Sequence, residues 1–77
     1  MLVNKGDVLL RTRDNRPHRV LLADEESFFA VKMYYDAKNA TWETDYAGLA
    51  YDNKNKTLEE QGFEKVQHPC FREEKVA

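Results

Sequence analysis

Apolar and polar side chains alternate along residues 6–35 in three blocks separated by two short polar runs. In the first block, residues 6–12, Val8, Leu10 and Thr12 fall on one side of an extended chain. Leu9, Arg11 and Arg13 fall on the other. The arginines mark that second side as the wetter one, so the first is assigned to the core. In the second block, residues 18–23, Val20 and Leu22 oppose Arg19, Leu21 and Ala23. In the third, residues 27–35, Phe29, Val31, Met33 and Tyr35 oppose Phe28, Ala30, Lys32 and Tyr34. A period of two in segments rich in β-branched and aromatic residues predicts strands. The breaks at residues 13–17 and 24–26 carry Asp, Asn, Pro and Glu, which is turn chemistry. Three strands so spaced predict an antiparallel sheet that the rest of the chain completes.

Residues 41–46 alternate cleanly, with Trp42, Thr44 and Tyr46 inward, and predict a fourth strand. Residues 47–51 either extend it past a bulge at Gly48 or turn a corner there. Residues 52–56 read as a mobile polar tip. Thr57 followed three residues later by Glu60 has capping-box spacing, and Gly62 sits where a helix would stop. One helical turn is expected over residues 58–61, then a last strand over residues 63–67. The expected core is Val8, Leu10, Val20, Leu22, Phe29, Val31, Met33, Trp42, Tyr46, Leu58, Phe63 and Val66.

Five short strands, tight turns and one helical turn before the last strand resemble, in element order, a small SH3-like barrel over residues 5–67. The resemblance implies a mainly β, five-stranded antiparallel barrel. The structural alternative is an open, curled sheet with the helical turn packed on one side; an OB-like barrel ordinarily needs a longer helix and chain. Peptide-binding SH3 domains carry an Ala-Leu-Tyr-Asp-Tyr run early in the chain. Here Tyr34-Tyr35-Asp36 stands elsewhere, so recognition of proline-rich peptides is not implied.

A chain of 77 residues predicts one domain, residues 1–67, with residues 68–77 as a flexible tail. Hydrophobic residues at 42% and charged residues at 34% fit a globular chain, not a disordered one. A lone cysteine, Cys70, allows no internal disulfide and points to a reducing compartment, the cytoplasm. No apolar run long enough for an export signal or a membrane span is read in the sequence. A bacterial or phage source is the expectation for a compact chain of this kind. Residues 1–22 carry five basic and two acidic side chains, a balance of +3, whereas residues 23–64 carry four and ten, a balance of −6. A net charge of −2 excludes a protein-wide basic field but leaves room for a local patch.

Candidate chemistry gathers on the first hairpin. Arg11, Arg13, Arg16, His18 and Arg19 cluster at one end of it, with Arg11, Arg13 and Arg19 on one side. Phe28 and Tyr34 would add flat stacking surfaces. The predicted binding surface is therefore Arg11, Arg13, Arg16, Arg19, Phe28 and Tyr34. Arginine beside exposed aromatics suits a protein partner and also a nucleic-acid backbone. The plain alternative is a solvated hairpin whose arginines pair with Asp14 and the acidic turn at residues 24–26. Among the other aromatics, Tyr35, Trp42 and Tyr46 are expected in the core, and Tyr34 and Tyr51 exposed. A groove between the 13–17 loop and the end of the fourth strand would be a natural partner site. Self-association through an open strand edge is a third option.

His68 and Cys70 offer two soft ligands, and only His18 could add a third, so no metal site is expected. The sequence shows no Gly-rich phosphate loop, nucleophile elbow or metal-binding helix. The expectation is a non-catalytic binding module with no cofactor.

Overall fold

The computed structural model describes residues 2–67. Five strands form one sheet: β1 (Val8–Arg11), β2 (Arg16–Ala23), β3 (Ser27–Asp36), β4 (Thr41–Asp52) and β5 (Phe63–Val66). Their order is β4-β3-β2-β1-β5, and every neighbouring pair is antiparallel. The first four strands make a meander, and β5 returns to pair with β1. With β4 and β5 at opposite ends, the sheet is open and not closed into a barrel.

Aspartates build the turns. Asp24 Oδ1 accepts the amides of Glu26 (2.9 Å) and Ser27 (2.8 Å) between β2 and β3. Asp36 Oδ1 does the same for Lys38 (3.0 Å) and Asn39 (3.4 Å) between β3 and β4. Asp52 Oδ1 accepts from Lys54 and Asn55, both at 2.7 Å, as the chain leaves β4. A short carboxylate that bonds two and three residues ahead replaces ladder bonds the backbone loses in reversing.

Two faces of the sheet are dry at its centre. On one, Val3, Leu9, Val20, Phe28, Ala30 and Phe63 form a buried cluster, joined by Leu2, Ala23, Tyr51 and Leu58. The Tyr51 ring stacks on Phe28 with centroids 5.3 Å apart and meets Phe63 edge-on at 4.9 Å. Burying a side chain such as Phe28 stabilises by about 1.5–3 kcal/mol. On the other face Val8, Leu10, Val31 and Met33 are also buried. The sequence pattern assigns the core to this second face alone. The structure places the packed cluster on the side that carries Arg11. Arg11 tolerates that side because its guanidinium reaches out of it to Asp14.

Two bulges explain further departures. Val20 pairs with Ala30 but Leu22 pairs with Phe29, so Leu21 is an extra residue on β2. Past it the alternation inverts: Ala23 joins the cluster and Leu22, expected inside, is 64% exposed. On the next pair, Val31 meets Gly48 and Met33 meets Thr44, so Asp45, Tyr46 and Ala47 stand against Lys32 alone. The chain is thrown outward there, and Tyr46, also expected inside, is fully exposed. The strand does continue through Gly48 to Asp52.

The capping box forms as the spacing predicts: Glu60 N donates to Thr57 Oγ1 (3.0 Å) and Thr57 N to Glu60 Oε1 (2.8 Å). It caps hydrogen-bonded turns over residues 58–62, however, and not a helix. Gly62, at φ 87°, ends them and feeds β5. The expected mobile tip is instead anchored. Asn53 is fully buried, and its side chain makes four hydrogen bonds, to Leu2 N, Val3 N, Val3 O and Asp24 O, at 2.8–3.1 Å. The predicted tail, with His68 and Cys70, lies outside the described residues.

Candidate functional site

The first hairpin places its arginines by register. Arg11 and Arg16 are cross-strand partners, so they share the face that holds Phe28 and Tyr34. Arg19 pairs with Val8 and Val31 and belongs to the opposite face, where its Nη1 donates to Gly6 O at 3.3 Å. Arg13 sits in the exposed β1–β2 turn. Phe28 is in the core at 1% exposure and offers no surface, whereas Tyr34 is 46% exposed. Of the six residues singled out in the sequence, Arg11, Arg16 and Tyr34 stand together on one face; Arg13, Arg19 and Phe28 do not join them as a surface.

The two face-sharing arginines are already engaged. Arg11 holds Asp14 in a fork, Nη2 to Oδ2 at 2.6 Å and Nε to Oδ1 at 3.0 Å. That pairing raises the Arg11 pKa further and pulls the Asp14 carboxyl down to about 2. Arg16 Nη1 donates to Met33 O at 3.4 Å, which ties β2 across to β3.

Beside them lies a groove of about 250 Å³, lined by Arg11 from β1, His18 from β2, Ala30 and Lys32 from β3, and Ala47, Gly48, Leu49 and Tyr51 from β4. The second bulge adjoins it, with Ala47 among its unpaired residues, while Gly48 and Leu49 stay in register with Val31 and Ala30 of β3. His18 forms part of the floor at 2% exposure. Its Nδ1 donates to Arg16 O at 3.0 Å, and its ring meets Phe63 edge-on with centroids 5.3 Å apart. Burial pushes the His18 pKa below the ordinary imidazole value, with the Arg11 and Lys32 charges in the same direction; the Arg16 carbonyl and Asp14 oppose. Lys32 at the rim stands 4.0 Å from Asp45. Among the described residues, no group of three or more His, Cys, Asp or Glu is placed to hold a metal ion.

The groove borders a free strand edge. Among the described residues β4 pairs only with β3, and it runs for 12 residues. Tyr46 is fully exposed on it and Leu49 is 64% exposed. Sequence reading missed this arrangement. The sequence pattern sets Tyr46 inside and reads His18 as a member of the hairpin's basic cluster and as a possible further metal ligand, not as the floor of a groove. Leu49 and Ala50 beside Gly48 were the available signal, since small and apolar residues past a bulge leave a strand without a packed side. Among the described residues, no helix is long and apolar enough to cross a membrane. No protein-family model, curated protein or solved structure matches the chain.

Proposed function

We propose that this chain is a small non-catalytic binding module that receives an extended segment of another protein along the outer edge of β4. The observation that carries this reading is the 12-residue edge strand with Tyr46 and Leu49 exposed beside a formed groove. A guest strand gains main-chain hydrogen bonds from such an edge, and alternate side chains gain the groove as a pocket. Arg11, Arg16 and Tyr34 lie inward of that edge, on β1, β2 and β3 of the same face, and extend the proposed contact surface across the sheet, in keeping with arginine and tyrosine as interface anchors. The strand order, a meander with β5 returned to β1, supports kinship in architecture with SH3-like sheets, opened between β4 and β5.

Contact with a nucleic-acid backbone is the weaker reading. Phosphate binding needs several cations presented together. Here Arg19 faces away from Arg11 and Arg16, Asp14 neutralises Arg11, and Asp45 attends Lys32.

The test is selection of peptides from a random display library on the immobilised chain, followed by amide hydrogen exchange with the selected peptide bound. Protection confined to β4 amides, with binding abolished by Leu49→Lys, supports strand addition. Selected peptides that leave β4 exchange unchanged refute it. Gel shifts at low salt with single- and double-stranded DNA and RNA are expected to be blank. Retardation that weakens steeply with salt would move the assignment to nucleic acid. Concentration-dependent mass in light scattering would make the edge a site for a second copy.

A further inference from the structure

His18 brings to the groove a chemistry that strand addition does not use. The Arg16 carbonyl can only accept a hydrogen bond, so the His18 proton sits on Nδ1 and Nε2 keeps a lone pair. Among the described residues no protein group pairs with Nε2. No buried side-chain nitrogen or oxygen is left without a partner there either, so Nε2 meets the interior of the groove. A 98%-buried histidine that lines a hollow and keeps one unpaired, solvent-reached ring nitrogen is a recognition element. Phe63 holds it edge-on and the Arg16 carbonyl fixes its rotation.

The surrounding charges say what it recognises. Arg11 comes from β1, with Asp14 of the following turn on its fork; Lys32 comes from β3, with Asp45 of β4 at 4.0 Å; β4 also contributes the Tyr51 phenol, and β5 the uncharged Phe63 ring. Each lining cation is thus attended by one carboxylate, and the empty groove is close to charge balance with His18 neutral. A bound monoanion restores balance only if a proton comes with it, and Nε2 is where that proton goes. A dianion would leave one charge uncompensated in a half-enclosed site.

We propose that the groove is a proton-coupled carboxylate site, in which one carboxylate oxygen accepts from a newly protonated His18 Nε2 while the other faces Arg11 and Lys32. One proton is taken up from solvent for each carboxylate bound, and no covalent bond changes. The volume of about 250 Å³ suits a group of acetate to glutamate size. The carboxylate belongs either to a small free acid or to an Asp or Glu side chain of a docked protein segment. The site stands in either case, so it does not depend on strand addition at β4.

The test follows the His18 ring nitrogens by NMR through pH titrations with sodium acetate, N-acetylglutamate amide, inorganic phosphate and sodium chloride at equal ionic strength. Saturating acetate is expected to raise the His18 midpoint by about one pH unit or more. Affinity is expected to fall by up to about tenfold per pH unit between the free and the liganded His18 midpoints, and to level off above the latter. Calorimetry in two buffers of different ionisation heat is expected to show net proton uptake on binding, greatest at pH values between the free and the liganded midpoints. Tighter binding of N-acetylglutamate amide than of acetate assigns the carboxylate to a protein side chain; equal binding assigns it to a free acid. Lys32→Met, at the exposed rim, is expected to weaken acetate several-fold without changing the thermal midpoint of the protein. His18→Gln is expected to abolish the proton uptake. An unmoved His18 resonance at the highest acetate concentration overturns the proposal. So does an equal response to chloride, tighter binding of phosphate than of acetate above neutral pH, or acetate affinity unchanged in Lys32→Met.

Discussion

Asn53 grips Val3 by both backbone groups: its Oδ1 accepts the Val3 amide at 3.0 Å and its Nδ2 donates to the Val3 carbonyl at 3.1 Å. Fifty residues apart in the chain, the two are joined as strand neighbours would be. The same amide also reaches Leu2 N and Asp24 O, so one side chain ties the chain start to the β2–β3 turn. Val3 is thereby held, fully buried, in the Phe28 cluster.

Asn53→Ala strands these backbone groups without partners. Each buried group left unsatisfied costs about 1–3 kcal/mol, and relaxation of the chain start recovers part of it. The expected loss is about 2–4 kcal/mol, read as a lower urea midpoint. Asn53→Asp is expected to be no better, because a carboxylate oxygen replaces the donor that faces the Val3 and Asp24 carbonyls. A midpoint within error of the native one in either variant would show that the clasp contributes little.

Gly48, in register with Val31, leaves no room for a side chain against β3. A Cβ there would stand 2.5 Å from the Ala30 carbonyl oxygen, 2.6 Å from Val31 Cγ1 and 2.9 Å from Phe29 Cζ. The nearest of these is backbone in the middle of the sheet and cannot step aside. Gly48→Ala is expected to destabilise by about 1–3 kcal/mol, seen as a lower thermal midpoint.

Ala40 ends the β3–β4 turn in the left-handed region, φ 57°. An L side chain is disfavoured there and glycine is not. Ala40→Gly is expected to stabilise by up to about 1 kcal/mol, the greater chain entropy of glycine offsetting part of the relieved strain. Chemical denaturation of the two proteins side by side decides the sign.

Stability should fall with acid in two separate windows. His18 titrates below its ordinary 6.5 in the fold because burial disfavours its charge. The unfolded chain therefore binds that proton first, and stability declines as pH drops from about 6.5 to the folded value. Asp14 is the opposite group, held at about 2 against 3.8 by the Arg11 fork. Its contribution is complete above 3.8 and disappears as pH falls toward 2. Asp24 and Asp52, lowered chiefly by the amides of Ser27 and Asn55, add to this second window. Urea midpoints measured across the range should show both steps. His18→Gln should erase only the upper one and Asp14→Asn should diminish only the lower.

The alternation from Val8 to Tyr35 is enough to place three strands, because a period of two runs through each block even where a bulge shifts which side a residue takes. It could not choose the better-packed face, because both faces carry large apolar residues and Arg11 reads as a wet marker. Its fork with Asp14 is a three-residue local pairing that binary patterning does not represent. Leu22 and Tyr46 were misplaced for one reason: a bulge inverts the alternation, and nothing in an apolar run such as Leu21-Leu22 announces the extra residue. Asn53 was illegible for another. Within Asp-Asn-Lys-Asn-Lys it has the composition of a solvated loop, and only the fold brings Val3 and Asp24 to it. Of the candidate site, the sequence offers Arg11, Arg16 and Tyr34 as members of one surface but sets Arg16 in a turn and groups Arg11 with Arg13 and Arg19, whereas the register pairs Arg11 with Arg16 and turns Arg19 to the other face; the groove has only the weak signal of small and apolar residues around Gly48.

Gln61 limits what can dock on this sheet. Its side-chain amide accepts from Asp52 N and donates to Asp52 O, both at 2.8 Å. In a strand those two groups point to the same lateral side, so the amide occupies the rung a sixth strand would use there. A segment docked as proposed would meet a buffer at Asp52 and align back toward Thr41. That terminus would give a guest chain a fixed origin along the ladder and deny it the freedom to slide.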